Sequence, residues 1–151
     1  MRKIRLYTSG AWDLFHYGHV RHLKNVKNIC LNENEEGIVV VGMLSDETIE
    51  KYKRKPIMNY DERREVLEAC KFVDEIIDNA PLKKDLQFLE HHRIDFVCYG
   101  FPDPLPKDLK RHYEKMNLLE QYDELKNKNM LIMTPYQHSV STTEIIKRIG
   151  N

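Results

Sequence analysis

The chain has 151 residues, 41% of them hydrophobic and 32% charged, and its 24 Lys and Arg balance 24 Asp and Glu. That length supports one core and not two, and zero net charge excludes a globally basic nucleic-acid binder or a protein drawn to anionic membranes. No apolar run has the length of a bilayer span or a signal peptide, so a single-domain, soluble, cytoplasmic protein is expected over 1–151, with no membrane insertion.

Ile4 and Leu6 alternate with Arg5 and Tyr7 as in a short strand, whereas Val20, Leu23, Val26 and Cys30 recur at helical spacing. Between them Gly10, Ala11, Trp12 and Asp13 form a tight turn, and His16 and His19 fall where the chain enters the helix. A helix N-terminus presents unpaired N–H groups and the positive end of its dipole, which suits an anion such as phosphate. Residues three apart share one face, so both imidazoles reach one phosphate group as neutral or cationic donors. A lone histidine would read more simply as a surface or core residue. The pair, Gly18 between them and the preceding strand and turn argue together for an anion site.

The run 37–44 is continuously apolar and rich in β-branched residues, as in a strand buried on both faces. Strand, helix, strand in that order implies a right-handed parallel crossover, and an α/β sheet whose ligand site lies at the carboxyl ends of its strands. Ser45 or Asp46 caps a short helix leading into Lys51, Lys53, Arg54 and Lys55. By charge alone that run is a solvated loop; beside the phosphate corner it reads as a polyphosphate loop. A further helix starts near Asn59 with Val66, Ala69, Cys70 and Val73 expected on its inner face. Arg63 lies in its first turn, where a cation opposes the helix dipole and calls for an anion partner.

Leu82, Leu86 and Leu89 mark another helix, 94–100 a strand, and 101–106 a proline-rich loop. Leu109, Tyr113, Met116, Leu119, Tyr122 and Leu125 describe a long charged helix broken near Asn117. After a short strand at 130–134, a last helix runs from Thr142 to Ile149. Ser141 with Glu144 fits a capping box, and a second phosphate site with Thr142 and Thr143 fits the same residues equally well. Cys30, Cys70 and Cys98 stand singly in apolar segments and read as reduced core cysteines, not metal ligands.

The run 10–19, with His16, Gly18 and His19 as an HxGH signature, resembles the cytidylyltransferase family of nucleotidyltransferases. Asp95-Phe96-Val97 and Ser141-Thr142-Thr143 extend the likeness over about 4–149, nearest to phosphocholine, phosphoethanolamine and glycerol-3-phosphate cytidylyltransferases. The resemblance implies a Rossmann-like, doubly wound parallel α/β sheet of about five strands, and cytidylyl transfer from CTP to a small phosphomonoester with release of pyrophosphate. It further implies that His16 and His19 stabilise charge on the reacting phosphates, Lys53 bridges the two substrates, and Arg63 holds the triphosphate. Gly10, Ala11, Trp12, Asp13, Val140, Ser141, Thr142 and Thr143 would complete the nucleotide site, with Mg²⁺ bound through the nucleotide phosphates.

Residues 70–77 resemble a stretch that lies at a dimer interface in relatives, with Lys71 in place of an arginine, so a homodimer is expected. Phe101 stands in place of an acidic residue, Leu82 of a tryptophan, Tyr136 of an arginine and Ser139 of a glycine. The acceptor leans to an aminoalcohol phosphate over glycerol phosphate or another polyol phosphate. An adenylyltransferase of the same fold and a non-catalytic nucleotide-binding module are the alternatives. A class I aminoacyl-tRNA synthetase is set aside, because the chain is too short and lacks a KMSKS-like loop.

Overall fold

Strand β1 (Arg2–Gly10) is the middle of a sheet ordered β3-β2-β1-β4-β5, with every neighbouring pair parallel. The remaining strands are β2 (Glu35–Met43), β3 (Glu75–Ile77), β4 (Phe96–Tyr99) and β5 (Leu131–Met133). This is a computed structural model that describes residues 1–101, 105–135 and 141–150. The register sets Arg2 against Glu35 and Gly10 against Met43 on one side of β1, and Leu6 against Phe96 on the other. Building proceeds outward from β1 to β2 and β3, then returns to β4 and β5, so the order reverses between β1 and β4. In a doubly wound sheet that switch point opens a crevice at the carboxyl ends of the strands.

Both faces of the sheet are covered, because alternate residues of each strand point to opposite sides. Val39 and Val41 join Ile4, Leu6, Leu23 and Val26 beneath α1 (Tyr17–Lys27), whereas Val40 joins Tyr7, Leu89, Val97 and Leu125 on the other face. That second face is closed by α4 (Leu86–His91) and α6 (Leu119–Asn127), with Leu89 and Leu125 buried. Gly42 is required there, since a Cβ would stand 2.0 Å from the Tyr7 hydroxyl oxygen. At the end of the sheet away from the crevice, Lys27 Nζ donates to Gly37 O at 3.0 Å and to Asp74 at 2.7 Å. The same carboxylate accepts from Val39 N at 2.8 Å.

Two expectations are corrected here, and a third holds. Helix α3 (Tyr60–Glu68) turns Arg63 and Leu67 inward and leaves Val66 39% exposed, because Arg63 anchors its first turn to the β1 and β2 ends. Cys30 lies beyond the end of α1 and is exposed; Cys98 is buried and Cys70 intermediate. The long charged segment is two helices, α5 (Lys107–Lys115) and α6, separated as the sequence indicates at Asn117, which takes φ 57°. Among the described residues no helix is long and apolar enough to cross a membrane.

Candidate active site

β1 ends at Gly10, and the chain turns sharply through Trp12 (φ 57°) and Leu14 (φ 49°). Trp12 is held in that left-handed conformation by burial and by its indole N–H, which donates to Gly42 O at 3.0 Å. Asp13 is buried, and its two carboxylate oxygens accept from Ile57 N at 2.8 Å and Met58 N at 2.9 Å. It thereby ties the chain after α2 (Asp46–Tyr52) to the corner. Asp13 works here as the fastener of the basic loop.

His16 is the N-cap of α1. Its Nδ1 accepts from Gly18 N at 3.1 Å, and Nδ1 of His19 accepts from His16 N at 3.1 Å, a capping box made of two imidazoles. A ring nitrogen that accepts from a backbone N–H carries no proton, so each neutral ring holds its proton on Nε2. His16 Nε2 lies 3.4 Å from Thr142 Oγ1, and that hydroxyl donates to Asp13 O at 3.0 Å. The two rings stack with centroids 3.8 Å apart. Burial, then the neighbouring His16, His22 and Lys53, push His19 down to about 3; burial and Lys53 lower His16. The sequence allowed neutral or cationic donors, and the geometry makes both neutral Nε2–H donors.

Two cavities adjoin over this corner. One, of about 290 Å³, lies between Ala11, Trp12 and Asp13 and the basic loop at Arg54 and Pro56. The other, of about 850 Å³, extends past His16 to Lys84, Tyr99, Phe101 and Ser141. Gly10, His19, Lys53 and Thr142 border both. Lys53 is the C-cap of α2; crowding by the cleft and by Arg54 lowers its ammonium pKa, with Asp13 opposing. At the start of α7 (Thr142–Gly150), Ser141 Oγ accepts from Glu144 N at 3.1 Å, as the expected cap requires, and the Glu144 carboxylate lies 3.8 Å from Arg148. Thr143 lines neither cavity and accepts from Arg54 at 3.4 Å. Val140, Tyr136 and Ser139 lie outside the described residues.

Arg63 departs from its expected role. It is fully buried and lines neither cavity, and all five of its N–H donors are engaged. They meet Met58 O at 3.1 Å, Ala11 O at 2.6 Å, Leu44 O at 3.1 Å from both terminal nitrogens, and Asp46 Oδ1 at 2.5 Å. The anion partner its position called for is Asp46, not a triphosphate. Sequence reasoning missed His22, one helical turn after His19, which borders both cavities. Thr134 Oγ1 donates to Tyr99 O at 3.1 Å and so accepts from His22 Nδ1 at 3.2 Å. Thr8 Oγ1 then donates to His22 Nε2 at 2.8 Å. Continuing the three-residue spacing from His16 through His19 would have reached it.

A sequence profile of the cytidylyltransferase-like family matches residues 7–148. The chain belongs to the cytidylyltransferase-like family. It is 36% identical over 148 residues to choline-phosphate cytidylyltransferase A of Mus musculus, covering 98% of this chain and 37% of that protein. The ethanolamine-phosphate cytidylyltransferase of the same species is 30% identical over 148 residues, 98% of this chain and 33% of that protein. The chain thus spans about a third of the length of these curated relatives. The crystal structure of a lipopolysaccharide core biosynthesis protein from Thermoplasma volcanium GSS1 shares the fold. It aligns with a TM-score of 0.63 at 17% identity, over 89% of this chain and 98% of that one.

In this member of the cytidylyltransferase-like family, the site offers phosphate oxygens two neutral N–H donors, a lysine and the N-terminus of α7. Oxygen ligands for a cation are scarce: Asp13 is occupied by backbone amides and Asp46 by Arg63. Among the described residues no three His, Cys, Asp or Glu side chains converge on one point.

Proposed function

We propose that this chain transfers a cytidylyl group from CTP to a small phosphomonoester, giving a CDP-alcohol and pyrophosphate, and does so in the cytoplasm. The observation that carries the reading is the seam between the two cavities, bordered by His19, Lys53 and Thr142 together. A transfer between two phosphates requires both to meet at one place while their remaining parts diverge. An acceptor phosphate oxygen attacks the α-phosphorus in line, the bond to the bridging oxygen breaks, and its electron pair leaves on pyrophosphate. The nucleophile is already an anion, so catalysis is positioning and charge stabilisation.

In this reading the Nε2–H groups of His16 and His19 donate to oxygens whose charge grows in the transition state. Lys53 bridges the phosphates of both substrates, while Ser141 and Thr142 at α7 hold the outer phosphates. Mg²⁺ neutralises the polyphosphate when bound; the occupied carboxylates of Asp13 and Asp46 favour its being carried by nucleotide oxygens and water. Two copies of the chain form a homodimer, a reading supported by the likeness at 70–77 and by the exposed Val66 beside it.

A pyrophosphate-release screen crossing four nucleotides with a panel of phosphomonoesters tests the reading. Release with CTP and at least one acceptor is expected, and calorimetry should show CTP binding more tightly than ATP. Equal or tighter ATP binding would favour an adenylyltransferase, and CTP binding without release a nucleotide-binding module.

A further inference from the structure

Lys84, in the segment between β3 and α4, lines the larger cavity. Lys84 is 8% exposed, and its main chain is fixed by the side-chain amide of Gln121 on α6. That amide accepts from Lys84 N at 3.2 Å and donates to Lys84 O. Its ammonium stands over the ring of Tyr99, 5.1 Å from the centroid. Among the described residues no carboxylate and no hydrogen-bond acceptor meets it. Burial pushes its pKa down to about 8, so it is still charged at neutral pH. A buried charge without an ion partner is costly to hold, and the cost is relieved by any anion that enters beside it.

Among the described residues the surrounding wall supplies no such anion. None of the described residues lining this cavity is Asp or Glu, whereas Lys53, Lys84 and His112 are among them. Phe101 packs 4.7 Å from Tyr99 and 6.0 Å from Tyr113, so the wall is aromatic. Aromatic faces by themselves attract ammonium groups. Here the Tyr99 face already carries Lys84, and a second cation would meet like charge with no carboxylate to offset it. Nor is there room for an acid at position 100, where a Cβ would stand 2.9 Å from Nδ1 of His22. In the two-substrate reading the turn at Ala11, Trp12 and Asp13 belongs to the nucleotide and lines the smaller cavity only, whereas Lys84 lines the larger one only, so it faces the other substrate.

We propose that Lys84 is a specificity-determining residue that binds a second anionic group, of the carboxylate class, at the far end of the acceptor phosphomonoester. The proposal rests on the two-substrate reading above and moves the acceptor from aminoalcohol phosphates to acidic ones.

Calorimetric titration of phosphoglycolate, glycerol-3-phosphate, phosphoethanolamine and phosphocholine into the full chain tests it, with Lys84→Met and Lys84→Gln alongside. Phosphoglycolate should bind at least tenfold more tightly than each of the others. Either variant should erase that advantage while leaving CTP affinity unchanged. Two variants of different polarity keep the test open should one fail to fold. Equal or tighter binding of an aminoalcohol or glycerol phosphate, no measurable phosphoglycolate binding, or a loss of CTP affinity in the variants would overturn the proposal.

Pyrophosphate release with the same four compounds separates the two readings. Lys84-dependent phosphoglycolate binding with no release from any acceptor sinks the transfer reaction and leaves the anion site standing. Release that is best with phosphocholine or phosphoethanolamine sinks the anion site and leaves the transfer standing.

Discussion

Arg63 and Lys84 are both cations withdrawn from water near the same cleft, and their surroundings are opposite. Every N–H of Arg63 has a carbonyl or carboxylate partner within the fold. The Lys84 ammonium has the face of Tyr99 and, among the described residues, no acceptor. A satisfied buried cation is a structural joint, here fastening α3 to the ends of β1 and β2. An unsatisfied one at a cavity wall costs stability and keeps its donors for a ligand. The histidine pair stands between the two cases, with Nδ1 bound into the helix cap and Nε2–H outside it, that of His16 lying 3.4 Å from Thr142 Oγ1.

The sharpest way to break this contrast is Arg63→Met. Three backbone carbonyls and Asp46 lose their donor, so stability to urea should fall by about 3–5 kcal/mol. An unchanged midpoint with a raised KM for CTP would return Arg63 to the nucleotide. Next in size, His16→Ala and His19→Ala should each lower kcat by about 10²–10³-fold, the range for removing a donor to developing charge. His16→Asn sharpens the division within one ring, since its amide oxygen restores the cap while no donor replaces Nε2–H. It should recover the roughly 1 kcal/mol of the cap and none of the rate. Recovery of turnover would assign His16 to the helix alone.

Acidification probes the same distinction. His16, His19 and His22 are all lowered by burial in the fold, His19 to about 3 and His22 to about 4, from the ordinary 6.5. The unfolded chain therefore binds more protons below pH 6.5, and stability must fall as pH drops through that value toward the folded values. The loss should be on the order of 1–2 kcal/mol per deeply buried ring at pH 5. Thermal melts from pH 7.5 to 5 measure it, and a flat profile would mean that the rings accept protons without leaving the cap. The smallest effect expected is a gain: Lys84→Met should raise stability by on the order of 1 kcal/mol at pH 7, opposite in sign to Arg63→Met. A loss comparable with that of Arg63→Met would show that Lys84 has an internal partner.

Much of the corner was legible because it is local. The strand, turn and helix of 4–26, the imidazole spacing and the caps at Ser45 and Asn59 depend on residues within a few positions of one another, and the structure shows them as read. Arg63 was misjudged because its helix position signals only that it needs anionic or carbonyl partners. Those partners, Ala11, Leu44 and Asp46, come from two other connections. Val66 was placed on the inner face because its spacing with Ala69, Cys70 and Val73 is apolar. The anchored arginine turned Val66 and Ala69 outward, while Cys70 and Val73, beyond the end of the helix, pack against the core.

By itself the sequence determined the α/β class, the order of the elements other than the short β3, and the anion-binding corner, since alternation, helical period and capping chemistry act over short chain distances. Only the tertiary structure decided which polar groups are satisfied. The Nε2–H tautomers need the paired caps of α1, and the engagement of Arg63 needs the ends of β1 and β2. The placement of the Lys84 ammonium needs Tyr99 beneath it and, among the described residues, a cavity wall without acids. Each of these depends on groups far apart in the chain, whose meeting is fixed by the sheet order β3-β2-β1-β4-β5 and by no local pattern.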